Sequence, residues 1–346
     1  MSRAASLRRR LAGSASGLES AGGNDLPPNR QERGLDALSD ALEGQDGDVL
    51  DAARDGLHAL SNGAETLSPL QEIALEAIVL SDGTRPAVAF KGDRIDPQDK
   101  ALGEWSADIL SGGAILSDIA RACARLSTGD RAIGSGFAVA PGIIATNRHV
   151  LQEIATATAC GNWTFHPDIL VDFAVEKDRT SPEHQFRPAA VRFAGPDPIG
   201  AEANPALLDL ALIELAPNGL ADPPEGLLLA DTPDRTPRNA RVAVIGHPAR
   251  PPHGQVADRV LFKLFGGVFG VKRFAPGLVS SPLGDVLGDA DPPRVFGHDA
   301  SALGGNSGSC VVALDGTWDV VGLHFGGFQQ VENLAHAIAR IRDDLP

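Results

Sequence analysis

Residues 304–309 read GGNSGS, and this stretch limits the folds open to the chain more than any other. A serine packed between glycines can present its hydroxyl group and its own backbone N–H to one substrate atom, which is how a nucleophile and an oxyanion hole are built together. From residue 133 onward the sequence surrounds this turn with short β-rich runs separated by Gly and Pro, which is typical of an antiparallel barrel pair. Ser307 is therefore the first candidate for a catalytic nucleophile.

Two upstream segments supply partners for this serine. Residues 145–150 read ATNRHV after an apolar run, and residues 207–213 read LLDLALI, which places one carboxylate inside a strand-like segment. The candidates thus follow in the order His149, Asp209 and Ser307, with spacings of 60 and 98 residues. These spacings suit two successive six-stranded barrels.

The three motifs resemble those of the trypsin-like (chymotrypsin-fold) serine peptidases, which are T-x-x-H, an Asp inside an apolar D-x-A-L strand, and G-(D/N)-S-G. The resemblance covers roughly residues 130 to 345. It implies a mainly β fold with a chymotrypsin-like double antiparallel β-barrel. The nucleophile elbow of α/β-hydrolases, G-x-S-x-G, would need glycine where Ser309 stands and would place the serine before the acid and the histidine.

The resemblance also assigns a role to each catalytic candidate. His149 would be the general base, Asp209 would orient its imidazole, and Ser307 would attack the substrate. The backbone N–H groups of Gly305 and Ser307 would form the oxyanion hole. Asp172 is a competing carboxylate, 23 residues after His149 in a similarly apolar run, but it lacks the D-x-A-L context.

Asn306 departs from the family pattern. The family's commoner Asp at this position pairs with a new N-terminal ammonium after zymogen cleavage, and an amide cannot form that ion pair. We therefore expect a chain that needs no N-terminal processing and is controlled by a partner protein or by its own N-terminal region.

Residues 322–327 read GLHFGG and are similar to the I-H-W-G-G segment of the bacterial glutamyl endopeptidase branch, whose histidine meets an acidic side chain in the S1 pocket. No carboxylate stands at Ser301 or Ala302, so a preference for Lys or Arg is not expected. Ala302 replaces the Thr usual in that branch, which leaves small or apolar P1 residues as an alternative in which His324 only packs on the strand. The S1 residues implied are Ser301, Ala302, His324, Phe325 and Gly326.

The chain divides into three predicted units. They are a disordered leader at 1–33, a mostly helical extension at 34–128, and a peptidase domain at 129–346, with barrel one at about 129–218, barrel two at about 238–346 and a helix at 334–345. The extension carries no chemical motif, so it either packs against the peptidase or docks a regulatory protein partner.

Charge and composition exclude several functions. The formal net charge is −15, and residues 1–24 hold four Arg against one Glu, so the remainder carries −18. Nucleic acid is therefore not expected as a partner. No run approaches the 18 or so apolar residues of a membrane span, and no cluster implies a metal or another cofactor.

Cysteine usage indicates a cellular compartment. Cys123, Cys160 and Cys310 are odd in number and have neither paired nor metal-ligand spacing, so we expect free thiols and a reducing compartment. The basic start of the chain lacks the apolar segment of a signal peptide, although an organelle transit peptide is an open alternative. The expected location is the cytoplasm of a bacterium.

Two functions compete at this stage. The first is an intracellular serine endopeptidase that hydrolyses peptide bonds in a protein or peptide substrate through an acyl-enzyme, within a signalling or defence pathway. The second is a catalytically silent scaffold that uses the barrel pair as a protein-binding module. The retention of Gly305 beside all three candidate catalytic residues favours the first.

Overall fold

The computed structural model describes residues 47–62, 84–129, 131–158, 162–176, 180–200, 202–251, 265–328 and 332–346, together with scattered residues between 35 and 71 and residues 261–262. The predicted leader at 1–33 lies outside the described residues. None of the helices in these ranges is long and apolar enough to cross a membrane.

The N-terminal region combines helices with one strand of the main sheet. Its elements are α1 (Gly47–Ser61), β1 (Val88–Ala89), a 3₁₀ helix (Lys100–Trp105) and α2 (Ser106–Ala122). A left-handed Gly113, with φ of +44°, interrupts the helical backbone of α2.

Six strands close the first barrel, in the order β2-β3-β4-β9-β8-β7. They are β2 (Cys123–Thr128), β3 (Arg131–Ala140), β4 (Ile143–Thr146), β7 (Ile169–Asp172), β8 (Gln185–Ala194) and β9 (Ala211–Ala216). Apolar side chains such as Leu126, Ile144 and Ile213 fill its interior. Because β2 starts at Cys123, this barrel begins six residues before the predicted boundary at 129.

Between β4 and β7 the chain forms a short helix and a small hairpin. These elements are α3 (Arg148–Ile154), β5 (Ala155–Ala157) and β6 (Trp163–Phe165). The helix α3 therefore starts directly after the turn that ends β4.

Six more strands close the second barrel. They are β10 (Arg241–Gly246), β11 (Arg273–Ser281), β12 (Val295–His298), β13 (Cys310–Ala313), β14 (Val320–Phe328) and β15 (Glu332–Ala337). The order is β11-β10-β13-β14-β15-β12, β12 pairs back onto β11, and β1 adds a seventh strand beside β11. The predicted double antiparallel barrel is confirmed.

The predicted C-terminal helix at 334–345 is wrong. Residues Glu332–Ala337 form β15, and only two single-turn 3₁₀ helices, Ile338–Arg340 and Arg342–Asp344, follow. The strand is favoured over a helix because β15 pairs with both β14 and β12 and so closes the second barrel. A short apolar run does not by itself distinguish a buried strand from a helix.

The two barrels meet along one shared apolar core. Buried residues of barrel one, such as Phe137 and Leu210, belong to the same cluster as Ile245 and Leu323 of barrel two. The candidate catalytic residues lie at the ends of strands, at 149 after β4, at 209 before β9 and at 307 before β13.

Candidate active site

His149 and Asp209 form a two-point contact. Asp209 Oδ2 lies 2.6 Å from His149 Nδ1, and Asp209 Oδ1 accepts the backbone N–H of His149 at 2.9 Å. The Asp209 side chain is 3% exposed and that of His149 is 26% exposed. Because Nδ1–H is held by the carboxylate, Nε2 is left as the proton-accepting nitrogen.

Buried neighbours fix the backbone of Asp209. The Asn147 side-chain amide donates to the Asp209 carbonyl at 2.9 Å, and the Asp209 N–H donates to His336 Nε2 at 3.0 Å. Burial lowers the pKa of His336 to about 4, so its ring is a neutral acceptor near pH 7. The same ring stacks on Phe325, with 4.3 Å between ring centroids.

The competing carboxylate lies elsewhere. Asp172 is buried at the end of β7, where its two oxygens accept the backbone N–H of Ala174 at 2.9 Å and the Gln185 amide at 2.8 Å. Those bonds satisfy the carboxylate within barrel one. The structure therefore brings Asp209, and not Asp172, to His149.

The loop that carries Ser307 is pinned through its carbonyl groups. The four acceptors and their donors are Gly304 O with Ala249 N at 2.6 Å, Gly305 O with Ser135 Oγ at 2.8 Å, Asn306 O with Ser309 N at 2.9 Å, and Ser307 O with Ser135 N at 2.8 Å. Each bond fixes one peptide plane, and in a trans peptide the N–H points away from the C=O.

Along the loop, backbone N–H groups that donate a hydrogen bond within the protein alternate with N–H groups that do not. The N–H of Asn306 donates to Leu303 O at 3.1 Å and that of Gly308 donates to His324 O at 2.8 Å. The N–H groups of Gly305 and Ser307 donate to no acceptor in the described part of the chain. Two backbone donors on either side of Asn306 are thus available to an external atom.

Two glycines make this loop conformation possible. Gly305 has φ of +88°, and a Cβ there would lie 2.7 Å from both Ala249 N and His247 O. Gly308 has φ of +87°, and a Cβ there would overlap the carbonyl oxygen of Ser135. Both positions combine a left-handed backbone with close approach of another chain segment, so they require glycine.

The Ser307 hydroxyl and His149 share no hydrogen bond within the described residues. Ser307 is half-buried, and its hydroxyl group makes no hydrogen bond to another residue in the described ranges. A nucleophile–base contact of this kind commonly tightens only when substrate binds. Among the three candidate residues, the structure therefore shows the His149–Asp209 contact, with no hydrogen bond from the Ser307 hydroxyl to that pair within the described residues.

The residues predicted for S1 are mostly buried. His324 is 3% exposed, and its Nδ1 lies 3.3 Å from Nε2 of the fully buried His298. Burial lowers the pKa of His298 to about 3. The pKa of His324 is also lowered, mainly by burial and to a smaller extent by the charges of the neighbouring His298 and His149 rings. His324 is therefore neutral near pH 7.

Another residue predicted for S1, Ser301, is bonded to the N-terminal region. The Ser301 hydroxyl donates to the carbonyl of Arg85 at 2.6 Å, and Ala302 is half-buried beside it. Phe325 is 4% exposed and packs with the small cluster around Leu334. Gly326 follows in the half-buried part of β14.

Sequence reasoning missed four residues that support the site. Ser135 bonds the loop that carries Ser307, and His298 contacts His324. His336 accepts the N–H of Asp209, and the carbonyl of Arg85 accepts the Ser301 hydroxyl. None of them carries a motif of its own, because each acts through a contact with a residue far away in sequence. In the described ranges, no group of three His, Cys, Asp or Glu side chains could hold a metal ion.

Comparisons with known proteins identify the family. Residues 134–323 match the family of trypsin-like peptidase domains. A probable serine protease of Lysobacter enzymogenes is 33% identical over 315 residues, which span 86% of this chain and 81% of that protein.

Solved structures were also compared. The Rv3671c protease of M. tuberculosis in its active form is 18% identical, with a TM-score of 0.38, over 68% of this chain and 83% of that one. Its inactive form is 18% identical, with a TM-score of 0.39, over 68% and 92% of the two chains.

Proposed function

Because the chain belongs to the trypsin-like peptidase family and is a serine protease, we propose that it is an endopeptidase that uses a His149–Asp209–Ser307 triad. The observation that carries this proposal is the two-point contact between His149 and Asp209, which leaves Nε2 of the imidazole as the base. Its substrate is a peptide bond within a protein or peptide.

The reaction follows from the roles of these groups. His149 Nε2 takes the hydroxyl proton as Ser307 Oγ attacks the scissile carbonyl carbon, and Asp209 stabilises the imidazolium. The oxyanion receives the N–H groups of Gly305 and Ser307, each worth about 3 kcal/mol in a dry site. The imidazolium then protonates the leaving amine, and an activated water releases the acyl group.

A fluorophosphonate probe tests the nucleophile. We expect labelling of the folded protein at Ser307 and none after Ser307→Ala. Asp209→Asn should lower turnover by roughly 10⁴-fold, whereas the matched Asp172→Asn should not, because Asp172 bonds only within barrel one. A protein that binds peptides but is never labelled would favour the alternative of a silent scaffold.

The second part of the proposal is that the protein cleaves bonds inside a substrate polypeptide and does not remove residues from the substrate's ends. A peptide blocked at both termini is the appropriate substrate, since an exopeptidase requires a free terminus. We expect two blocked products from an N-acetylated, C-amidated peptide. Activity confined to peptides with a free end would contradict an endopeptidase.

The site is also proposed to form without N-terminal processing. Asn306 cannot pair with a terminal ammonium, and four carbonyl hydrogen bonds already hold the loop. Full-length protein should therefore be acylated by a small active ester while its intact mass shows no prior cleavage. A chain that stays inert until it is cut at a defined bond would contradict this.

For S1 we propose that basic P1 residues are excluded. Asp299, the carboxylate nearest in sequence to Ser301, pairs with Arg85 at 2.7 Å and is unavailable to a substrate cation. An acidic P1, as in the glutamyl endopeptidase branch, would meet a neutral His324 that donates an N–H. Cleavage after Glu should then fall with His324→Ala far more than cleavage after Ala or Leu. An equal loss of cleavage for all P1 residues would instead favour the alternative in which His324 only packs on the strand.

A reducing, cytoplasmic setting is proposed from the free thiols. A bacterial source is proposed from the relative in Lysobacter enzymogenes. The buried Cys123 and Cys310 have their sulfur atoms 3.4 Å apart as free thiols, and burial raises the pKa of Cys310. Cys160 lies outside the described residues. Two unreacted thiols in contact fit a compartment that keeps them reduced. Thiol titration of protein purified without reductant and then denatured should find three free thiols; a disulfide between Cys123 and Cys310 would argue for an oxidising compartment.

Regulation through residues 34–128, within a signalling or defence pathway, is proposed from exposed apolar side chains on α2. Leu110 is 68% exposed and Ile115 is 46% exposed. Replacing both by Asp should leave ester turnover of the purified protein unchanged but alter substrate cleavage in cells. Unaltered cleavage in cells would remove this role for the region.

A further inference from the structure

Ser135 of barrel one contacts the nucleophile loop of barrel two twice. It lies on β3 with 1% of its surface exposed. Its hydroxyl donates to Gly305 O at 2.8 Å, and its N–H donates to Ser307 O at 2.8 Å. The hydroxyl oxygen also accepts the N–H of His247 at 2.9 Å. One residue therefore bonds two peptide planes of this loop, Gly305–Asn306 and Ser307–Gly308.

The hydroxyl bond matters because Gly305 is conformationally permissive. Glycine rotates about φ and ψ at little steric cost, so the Gly305–Asn306 peptide could turn over and misdirect the neighbouring N–H groups. The Ser135 hydroxyl holds this plane at its carbonyl end, while the Asn306 N–H at its other end donates to Leu303 O. The buried Gly305 carbonyl requires a hydrogen-bond donor, and Ser135 is the side chain that supplies it. The adjacent plane is held separately by Ala249 N.

We propose that the Ser135 hydroxyl is a positioning residue that keeps the oxyanion hole formed in the uncleaved chain. It supplies from barrel one the restraint that an acid at position 306 would supply through an ion pair. This inference rests on the proposed function, since it requires Gly305 and Ser307 to bind the oxyanion.

The variant Ser135→Ala removes the donor to Gly305 and the acceptor for His247 while keeping the backbone N–H that holds Ser307. We expect kcat to fall roughly 10- to 100-fold with KM unchanged, below the 10²- to 10³-fold cost of losing an oxyanion donor outright. The matched control is Ser127→Ala, which deletes another barrel-one serine hydroxyl that is 1% exposed and has no bond to residues 304–307 within the described chain.

A transition-state analogue separates positioning from general structural damage. A peptide trifluoromethyl ketone forms a tetrahedral hemiketal oxyanion with the nucleophile, whereas the corresponding trifluoromethyl alcohol binds without forming it. Affinity for the ketone should fall by the same factor as kcat, and affinity for the alcohol should not change. The hemiketal pKa followed by ¹⁹F NMR should rise, because a distorted hole stabilises the anion less.

Each outcome decides the matter. A folded Ser135→Ala protein with ketone affinity and kcat within twofold of the wild type overturns the inference. If that variant does not fold, Ser135→Gly also removes the hydroxyl donor to Gly305 O, and an unchanged hemiketal pKa in that variant overturns it equally. A wild-type protein that forms no hemiketal and cleaves no peptide would instead overturn the proposed function.

Discussion

Replacing Arg85 by Met should destabilise the whole protein through a buried ion pair. The Arg85 guanidinium bonds both carboxylate oxygens of Asp299, at 2.7 and 2.8 Å, and the two side chains are only 8% and 14% exposed. The Asp299 carboxylate also accepts Leu278 N at 2.7 Å. The variant leaves that carboxylate buried without its cation.

The size of the effect follows from this burial. Removing one partner of a buried pair costs about 3–5 kcal/mol, because the remaining charge is uncompensated. The matched control is Arg131→Met. Its pair with Glu153 has side chains that are 71% and 50% exposed, so it should lose less than about 1 kcal/mol.

Urea unfolding of both variants and of the wild type measures this difference, and a double-mutant cycle with Asp299→Asn isolates the pairwise term. A functional consequence is also expected, because the Arg85 carbonyl accepts the Ser301 hydroxyl. Turnover of a peptide should fall more than turnover of a small active ester. Arg85→Met and Arg131→Met variants of equal stability would refute the reasoning.

Two further predictions concern acid and the nucleophile loop. Burial lowers the pKa of His336 to about 4 and of His298 to about 3, from an ordinary value of 6.5. The unfolded chain then binds more protons as pH falls from 6.5 towards 4, so the free energy of unfolding should fall by about 1.4 kcal/mol per pH unit for each ring. Urea midpoints that do not change over this range would contradict the burial. Gly308→Ala should cost roughly 2–5 kcal/mol and abolish fluorophosphonate labelling, since its Cβ would overlap Ser135 O; full labelling would contradict the loop geometry.

Short-range features could be predicted from the sequence, because their cause lies within a few residues. The glycines around Ser307 adopt the left-handed backbone that such a turn needs. The turn at 141–142 joins β3 to β4 and delivers His149 at a strand end, and residues 315–316 turn β13 into β14. The order of the catalytic candidates and the double barrel were predictable for the same reason, since each motif is contiguous.

Contacts between distant segments were decided only by the tertiary structure. Cys123 and Cys310 lie 187 residues apart without paired spacing, yet barrel closure brings their sulfur atoms to 3.4 Å. The segment 334–345 has an apolar pattern compatible with a helix, yet its first residues join the strand β15, because β14 and β12 each have an edge that β15 pairs with. Ser135 reaches the nucleophile loop for the same physical reason: closing two barrels against one another pairs backbone groups that no local pattern relates.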